Sequence, residues 1–510
     1  GAGSTTIFKG PYSSSTSEPS GNKQFIKTIE ASNTTISNLQ IKDFGAKEKN
    51  GGAIKIKLET ADDSTDGIQF FDVTFDNNKT HEKDGGALYI DGDKAVNVTF
   101  TRCTFSNNSS TVGDDKKAGA LYIKKNANVL IKNSLFFGNS GKKGGVIYTK
   151  EGADLTIISS TFSDNFDTET SPVKRGAIVL KDDDTNLTIS DCIFSNTKKN
   201  NTIIYDIAVE NHNPTISITN TIYRSIEFGI ATLTNSSQES NQSSIFTDAS
   251  NNDYTLILGS PAIDYTYNNG TSGAEEDDFN LVSRPQGLAD DIGAYERLGS
   301  WTGNVDSDWG NSDNWDAPYA PKITDSPVIP PTNNDPIISD DDGENNDGDV
   351  KIQYITIKSG ATLTIQKGNS LEVEKDFTNN GNVTLNSDSN EFASIIVGGT
   401  ATGNITYNKH VNYQAYEEWD LVGPPVLNQN MKTFAQTNTN NNSTSGAMAM
   451  GGDYYALGQY YTGWGSWGNY TTLTIPDANF PVAKGYQMAT NAIENNSSLE
   501  GQSLTFTGEI

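Results

Sequence analysis

Phe100-Thr-Arg-Cys-Thr-Phe105, Ile131-Lys-Asn-Ser-Leu-Phe136, Ile157-Ile-Ser-Ser-Thr-Phe162 and Ile189-Ser-Asp-Cys-Ile-Phe194 are copies of one hexad. Phe70-Phe-Asp-Val-Thr-Phe75 and Ile218-Thr-Asn-Thr-Ile-Tyr223 extend the series, and Ile36-Ser-Asn-Leu-Gln-Ile41 fits it more loosely. The mean step is about 30 residues. A second signature keeps pace: Gly51-Gly-Ala-Ile, Gly85-Gly-Ala-Leu, Ala118-Gly-Ala-Leu, Gly144-Gly-Val-Ile and Arg175-Gly-Ala-Ile. Self-similarity at this period means one structural unit stacked on the next. Each unit holds short runs rich in Val, Ile, Thr, Phe and Tyr, such as Asn97-Val-Thr-Phe and Gly119-Ala-Leu-Tyr-Ile-Lys, broken by Asn, Asp, Ser and Gly. That is strand punctuation, with no sustained 3.6-residue stripe. Three strands per coil without a helix describe a parallel β-helix, its coils ~4.8 Å apart.

Stacking predicts that equivalent columns carry equivalent residues. The fourth hexad position reads Leu39, Val73, Cys103, Ser134, Ser160, Cys192, Thr221, small or apolar as an inward site demands. The sixth reads Ile41, Phe75, Phe105, Phe136, Phe162, Phe194, Tyr223, a spine for the core. Three residues on stand Asn78, Asn108, Asn139 and Asn165, a column expected to form a corner ladder rather than a binding face. The Gly-Gly-Ala corners fit a backbone needing positive φ. They lack the Gly-Lys-Ser/Thr of a phosphate loop.

The chain has 510 residues, 34% hydrophobic, with 64 acidic against 36 basic side chains and a net charge of −28. Such acidity argues against nucleic acid and anionic membranes as partners. It fits a soluble extracellular protein or a cation binder. Two cysteines make no disulfide scaffold. Cys103 and Cys192 share a column three coils apart, roughly 14 Å by the strand spacing, beyond disulfide reach. Three scattered histidines (His81, His212, His410) make a His-based metal site or triad improbable. No apolar run is long enough for a transmembrane helix. No signal peptide is visible, and the Gly-Ala-Gly-Ser start reads as processed or excised.

The first domain is expected over 1–298, with residues 1 to about 30 leading into the first coil and a cap over about 224–298. The cap holds Asn252-Asp-Tyr-Thr-Leu-Ile-Leu-Gly-Ser-Pro-Ala-Ile-Asp264, Arg284-Pro-Gln-Gly287 and Asp291-Ile-Gly-Ala-Tyr-Glu296. This trio resembles the closing segment of choice-of-anchor Q domain proteins, right-handed β-helix surface proteins. The Phe-x-x-Asn and Gly-Gly-Ala pairing resembles the repeats of polymorphic outer-membrane proteins. The resemblance implies a secreted or surface-displayed scaffold, with no catalytic residues attached to the motif. Asp264, Arg284 and Glu296 read as a buried charge cluster locking the cap.

A second module, 299–411, opens on Trp301-Thr-Gly with Trp309 and Asn314-Trp315, then continues as short alternating strands such as Ile352-Gln-Tyr-Ile-Thr-Ile. It is similar to the Trp-Thr-Gly…Asn-Trp module of large secreted Bacteroidota proteins, many exported by the type IX system, and reads as a smaller β-solenoid. The third piece, 412–510, contains Trp419-Asp-Leu-Val-Gly-Pro-Pro and Ala483-Lys-Gly-Tyr486 and resembles a β-sandwich module of such proteins. It stops in mid-pattern at Gly508-Glu-Ile510, so a further sorting domain is expected in the native chain. The fold class is therefore all-β: a right-handed parallel β-helix followed by smaller β-solenoid and β-sandwich modules.

Three places invite chemistry. The acidic stretch Asp340-Asp-Asp-Gly-Glu-Asn-Asn-Asp-Gly-Asp349 offers hard oxygens to structural Ca²⁺, the candidate cofactor, through Asp340, Asp342, Asp347 and Asp349. Its spacing is not that of an EF-hand, and the plain alternative is a solvated loop. The aromatic tract includes Tyr454, Tyr455, Tyr460, Tyr461, Trp464, Trp467 and Tyr470. Tyr460, Tyr461, Trp464 and Trp467 are the candidate carbohydrate-stacking set; the alternative is sandwich core. Last, Asp62-Asp63, Asp114-Asp115 and Asp182-Asp-Asp184 sit along coil loops beside lysines and read as turn residues, not acid–base pairs.

The expected function is a secreted, cell-surface adhesin or display scaffold that binds through loops on a rigid β-helix and is not an enzyme. An outer-membrane secretion translocon is the expected export partner, and surface glycans or other surface proteins the expected ligands. The alternatives are a polysaccharide-binding or polysaccharide-degrading β-helix, and a structural filament or surface-layer subunit.

Overall fold

A computed structural model describes the chain except residues 1–5, 12–20, 61–66, 113–116, 169–175, 200–201, 211–212, 228–230, 258, 266–276, 283, 287–288, 317–319, 324, 340–341, 343–347, 415–418, 464 and 493–500. It divides into two compact units, Gly1–Arg297 and Leu298–Ile510.

The first unit is a parallel β-helix, and its hexads stack in the register read from the sequence. Phe75 pairs with Phe105, Phe105 with Phe136, Phe136 with Phe162 and Phe162 with Phe194. Their rings lie 4.9, 4.7, 4.3 and 4.7 Å apart, near parallel. That is the strand spacing transmitted to the side chains, and each ring is fully buried. Among the described residues nine strand layers follow one another from Thr6–Lys9, the last being Thr232–Thr234 against Thr215–Thr219. At the N-terminal end Thr6–Lys9 pairs in parallel with Thr34–Lys42, and Phe8, Phe25 and Phe44 pack in series beside it.

The interior also carries two polar ladders, each a solution to burying backbone. In the first, Asn78 N donates to Asn108 Oδ1, Asn108 N to Asn139 Oδ1 and Asn139 N to Asn165 Oδ1, at 3.0–3.1 Å. Each Nδ2 also donates to a carbonyl below, as Asn108 does to Phe75. In the second, the fourth hexad position is not merely small. Cys103 N donates to Ser134 Oγ at 3.1 Å and Ser134 N to Ser160 Oγ at 3.0 Å. Ser160 N donates to Cys192 Sγ at 3.4 Å.

The corners come from left-handed residues. The third hexad position, Asn38, Asp72, Arg102, Asn133, Ser159, Asp191 and Asn220, has φ of 45–56° throughout. Asn and Asp tolerate this region best, which explains their recurrence. At the other corner the second glycine of Gly-Gly-Ala is required by contact. A Cβ on Gly86 would lie 2.0 Å from Gly119 O, and one on Gly119 2.2 Å from Gly145 O.

The described residues of 242–297 do more than close an end: they pack along one flank. The fifth hexad positions Leu135, Ile193 and Ile222 face outward, and Ile245, Phe246, Tyr254, Leu256 and Ile292 cover them. Gly293 N donates to Asp191 O at 2.8 Å and Ala294 N to Thr161 Oγ1 at 2.9 Å.

The second unit starts as another parallel solenoid with three short ladders. Val328–Ile329, Ile355–Ile357, Phe377–Asn379 and Ala401–Thr402 form one of them. The Trp-Thr-Gly segment is its first layer: Trp301 N donates to Val328 O and Trp309 N to Ile337 O. Trp301, Trp309 and Trp315 close the core edge to face. Gln502–Glu509 pairs antiparallel with Asn404–Val411, so the pieces read as 299–411 and 412–510 share a sheet and one apolar core. A small antiparallel sheet and the helix Met431–Asn438, capped by Asn430 Oδ1 on Thr433 N, complete it. Among the described residues no helix is long and apolar enough to cross a membrane.

Both cysteines are free and buried. Burial pushes the Cys103 thiol up to about 12 and raises Cys192 as well. Ellman's reagent at pH 8 is therefore expected to find no reactive thiol in the native protein and two in guanidinium; labelling of the folded chain would contradict the core placement. Asn108→Ala strips partners from Asn78 and Asn139 and is expected to cost roughly 2–4 kcal/mol in a denaturant titration. Asn128→Ala, which breaks only the exposed bond to Asn97 Oδ1, should cost less than about 0.5 kcal/mol. Equal losses would show that the buried ladder carries no special weight.

Candidate functional site

One outward column of the β-helix stacks three tyrosines beside a lysine. Register aligns Lys55, Tyr89, Tyr122, Tyr148, Val179 and Ala208. The tyrosines stack at 5.1 and 5.6 Å, nearly parallel. They are 6%, 3% and 0% exposed, so their faces are not open to a sugar. Lys124 lies over Tyr89 and Lys117 over Tyr148, closing the ladder with cation–π contacts. At its far end Tyr148 donates to Glu210 Oε2 at 2.6 Å and Lys143 sits 3.2 Å from Oε1. Burial works to raise Glu210, but these two donors outweigh it and hold the carboxyl below its usual range.

At the N-terminal end the column opens into a cleft of about 510 Å³. Among the described residues Lys27, Lys49, Lys55 and Lys83 line it, with Glu48 as the one carboxylate. Its walls are tied together: Gln24 Nε2 donates to Asn50 O and Gly51 O, and Glu48 N to Asn22 Oδ1. Lys55 is lifted outward between the buried Ile54 and Ile56 by strand alternation. Four ammonium groups in an otherwise strongly acidic chain make a locally positive patch. The cleft does not stand out in the amino-acid order. Its signal is the lysine density between Lys23 and Lys57, hidden by the net charge of −28.

The cap cluster is real, with one member more than expected. Arg284 Nη1 meets Glu296 Oε2 at 2.6 Å, with side chains 1% and 0% exposed. Glu296 also accepts from Gln286 N and Asp291 N. Arg284 further donates to Asp291 O and Gly293 O, backbone atoms next to the flank contact. Asp264 joins through Asp291, whose Oδ1 accepts from Asp264 N at 2.7 Å. Nearly every oxygen in the cluster is held by a backbone donor or by the guanidinium, so it is a lock on the cap. Burial raises Asp291 to about 7 and pushes Glu296 up too.

The aromatic tract splits in two. Tyr455 and Tyr470 are core, whereas Tyr460 and Trp467 are 47% and 41% exposed and face each other across a strand pair, edge to face at 5.4 Å. Tyr461 is half-buried beside Gly468, and Trp464 lies outside the described residues. In the acidic stretch, Asp340 and Asp347 lie outside the described residues. Asp349 accepts from Ser370 Oγ, while Asp342 is buried one corner earlier. Among the described residues no three His, Cys, Asp or Glu side chains converge as a metal cluster. Asp182 and Asp183 accept from Glu151 N and Asn213 N and serve the coil corners; Asp62, Asp63, Asp114 and Asp115 lie outside the described residues.

With parallel coils, a ring-stacked core and short corners, the chain is an all-β parallel β-helix protein. Residues 26–245 match the family described as a right-handed beta helix region, which supplies the hand. Residues 300–510 match a domain of unknown function (DUF8693), one family spanning both halves of the second unit. No curated protein and no solved structure matches the chain.

The cap predicts a distinct pH response. The folded Asp291 carboxyl keeps its proton up to about 7, whereas its ordinary value is 3.8. Folding takes up that proton in between, so stability should fall as pH rises from about 4 through 7. Arg284→Leu leaves Glu296 buried without its cation and should cost about 3–5 kcal/mol at pH 8, less at pH 5 where the carboxyl can protonate. Denaturation midpoints at the two pH values check both signs.

Proposed function

We propose that the protein is an extracellular, cell-surface binding protein of the adhesin or display-scaffold kind, with the lysine cleft as its receptor for an anionic ligand. The observation that carries this reading is the cleft itself: Lys27, Lys49, Lys55 and Lys83 around about 510 Å³, in a chain of net charge −28. A β-helix suits the role because the strands that carry the lining pair in register from coil to coil, Ile26 with Ile54 and Ile54 with Leu88, which holds the pocket in place. Acidic polysaccharide is the ligand class, since repeated carboxylates or sulfates match a row of ammonium groups. Among the described residues Glu48 is the one carboxylate lining the cleft, where glycoside hydrolysis uses a pair, which favours binding over cleavage. Export through an outer-membrane translocon, the Bacteroidota type IX route, belongs to this reading on resemblance alone. Calcium is not needed at the cleft.

Polygalacturonate binding, followed by calorimetry with neutral dextran as control, tests the proposal. Binding should weaken with salt. Lys55→Glu with Lys83→Glu should weaken it at least about tenfold, the loss of roughly 1.4 kcal/mol, with the melting temperature unchanged. Equal binding of dextran, or an unaffected double variant, would overturn it.

A further inference from the structure

The second unit holds a pair of carboxylates that its packing does not explain. Asp308 stands on the first layer of the solenoid, bridged to Ile337 on the next. Asp342 stands at the corner that follows that next layer and is 1% exposed. Its Oδ2 accepts from Ser339 N at 2.6 Å. Its Oδ1 is buried and has no hydrogen-bond partner. That orphan oxygen points over Gly310: a Cβ placed there would lie 2.6 Å from Asp342 Oδ1 and 3.5 Å from Asp308 Oδ1. The Asp308 carboxyl is within hydrogen-bond reach of Asp342, and together with burial it raises Asp342. No lysine or arginine is ion-paired with either among the described residues.

A neutral residue would serve the corner as well. One coil further on, Gln366 to Asn369 makes the same turn, with Asn369 N donating to Gln366 O at 3.2 Å. Asn369 is likewise buried, with its Oδ1 over Gly348. The acidic side chain stands where another carboxylate comes over the chain, above a glycine that leaves the space open. Two buried like charges repel; a divalent cation between them reverses the sign of the interaction.

We propose that Asp308 and Asp342 are the side-chain ligands of a divalent-cation site of the calcium class, clamping the first layer of this solenoid to the second. Main-chain carbonyls and water complete the shell, as hard cations allow. Two carboxylates without a third place its affinity at roughly 10⁻⁴–10⁻³ M, the range of extracellular modules. The site differs from a ligand set drawn from the acidic stretch alone, because Asp308 comes from the Trp-Thr-Gly segment 34 residues earlier in the chain. It is independent of the lysine cleft in the first unit.

Trp309 adjoins Asp308 and is buried, so terbium bound there should show tryptophan-sensitised emission that calcium displaces. On the full chain at pH 7.5, about 5 mM Ca²⁺ should raise the melting temperature of the second unit by at least about 2 °C over EDTA. Asp308→Asn and Asp342→Asn should each weaken terbium and calcium binding at least tenfold. Wild-type protein without sensitised emission or calcium shift would overturn the site, whether or not the variants fold. Variants that bind terbium like wild type would overturn it by putting the ion elsewhere. Variants that melt higher than wild type and ignore calcium would overturn it in favour of a proton shared by the pair.

Discussion

The structure of the first unit depends on one constraint: a coil must present, at every interior point, what the next coil ~4.8 Å away can pair with. Strand hydrogen bonding sets that distance. Rings satisfy it by lying face to face, as Phe136 does on Phe162 at 4.3 Å. Polar groups satisfy it only if donor and acceptor alternate up the column, which an amide side chain does at both of its ends. The Asn78 to Asn165 ladder and the hydroxyl–thiol column at Ser134, Ser160 and Cys192 are two chemical answers to the same demand. Both put polarity inside a narrow core at little cost, because donor meets acceptor from coil to coil along the column.

The same demand shapes the outside. An outward column is also in register, so like side chains meet like. Tyrosines can stack, and Tyr89, Tyr122 and Tyr148 do. Apolar groups at Leu135, Ile193 and Ile222 would form an exposed stripe, and the returning chain covers them. Lysines cannot stack without repulsion, so where Lys27, Lys49, Lys55 and Lys83 gather around a cleft, an anion is the natural complement. Function in such a scaffold follows from the columns that do not neutralise themselves.

The second unit repeats the architecture with a different seal. Three indoles close its first layer, where the first unit uses Phe8, Phe25 and Phe44. Its last long strand, Asn404–Val411, is covered by the antiparallel Gln502–Glu509, so that edge is paired as well. The buried Arg284–Glu296 pair plays the corresponding part for the flank of the first unit, fixing the loop whose backbone reaches Asp191 and Thr161.

The amino-acid order by itself determined the repeat, the Phe spine, the Asn corner ladder and the buried thiols, because a period-bound stack writes its contacts as a periodic text. It also named Arg284 and Glu296, whose charges stand out in an apolar motif. Only the tertiary structure decided which outward residues meet. The lysine cleft draws on Lys27, Lys49, Lys55 and Lys83, spread over three successive coils, and no local spacing encodes that convergence. Asp291 was invisible as the bridge to Asp264 because its role depends on a turn between distant segments. The aromatic tract reads alike at Tyr455 and Tyr460, yet one is core and the other faces solvent. Strand alternation alone cannot separate them, since the burying partner comes from elsewhere in the chain.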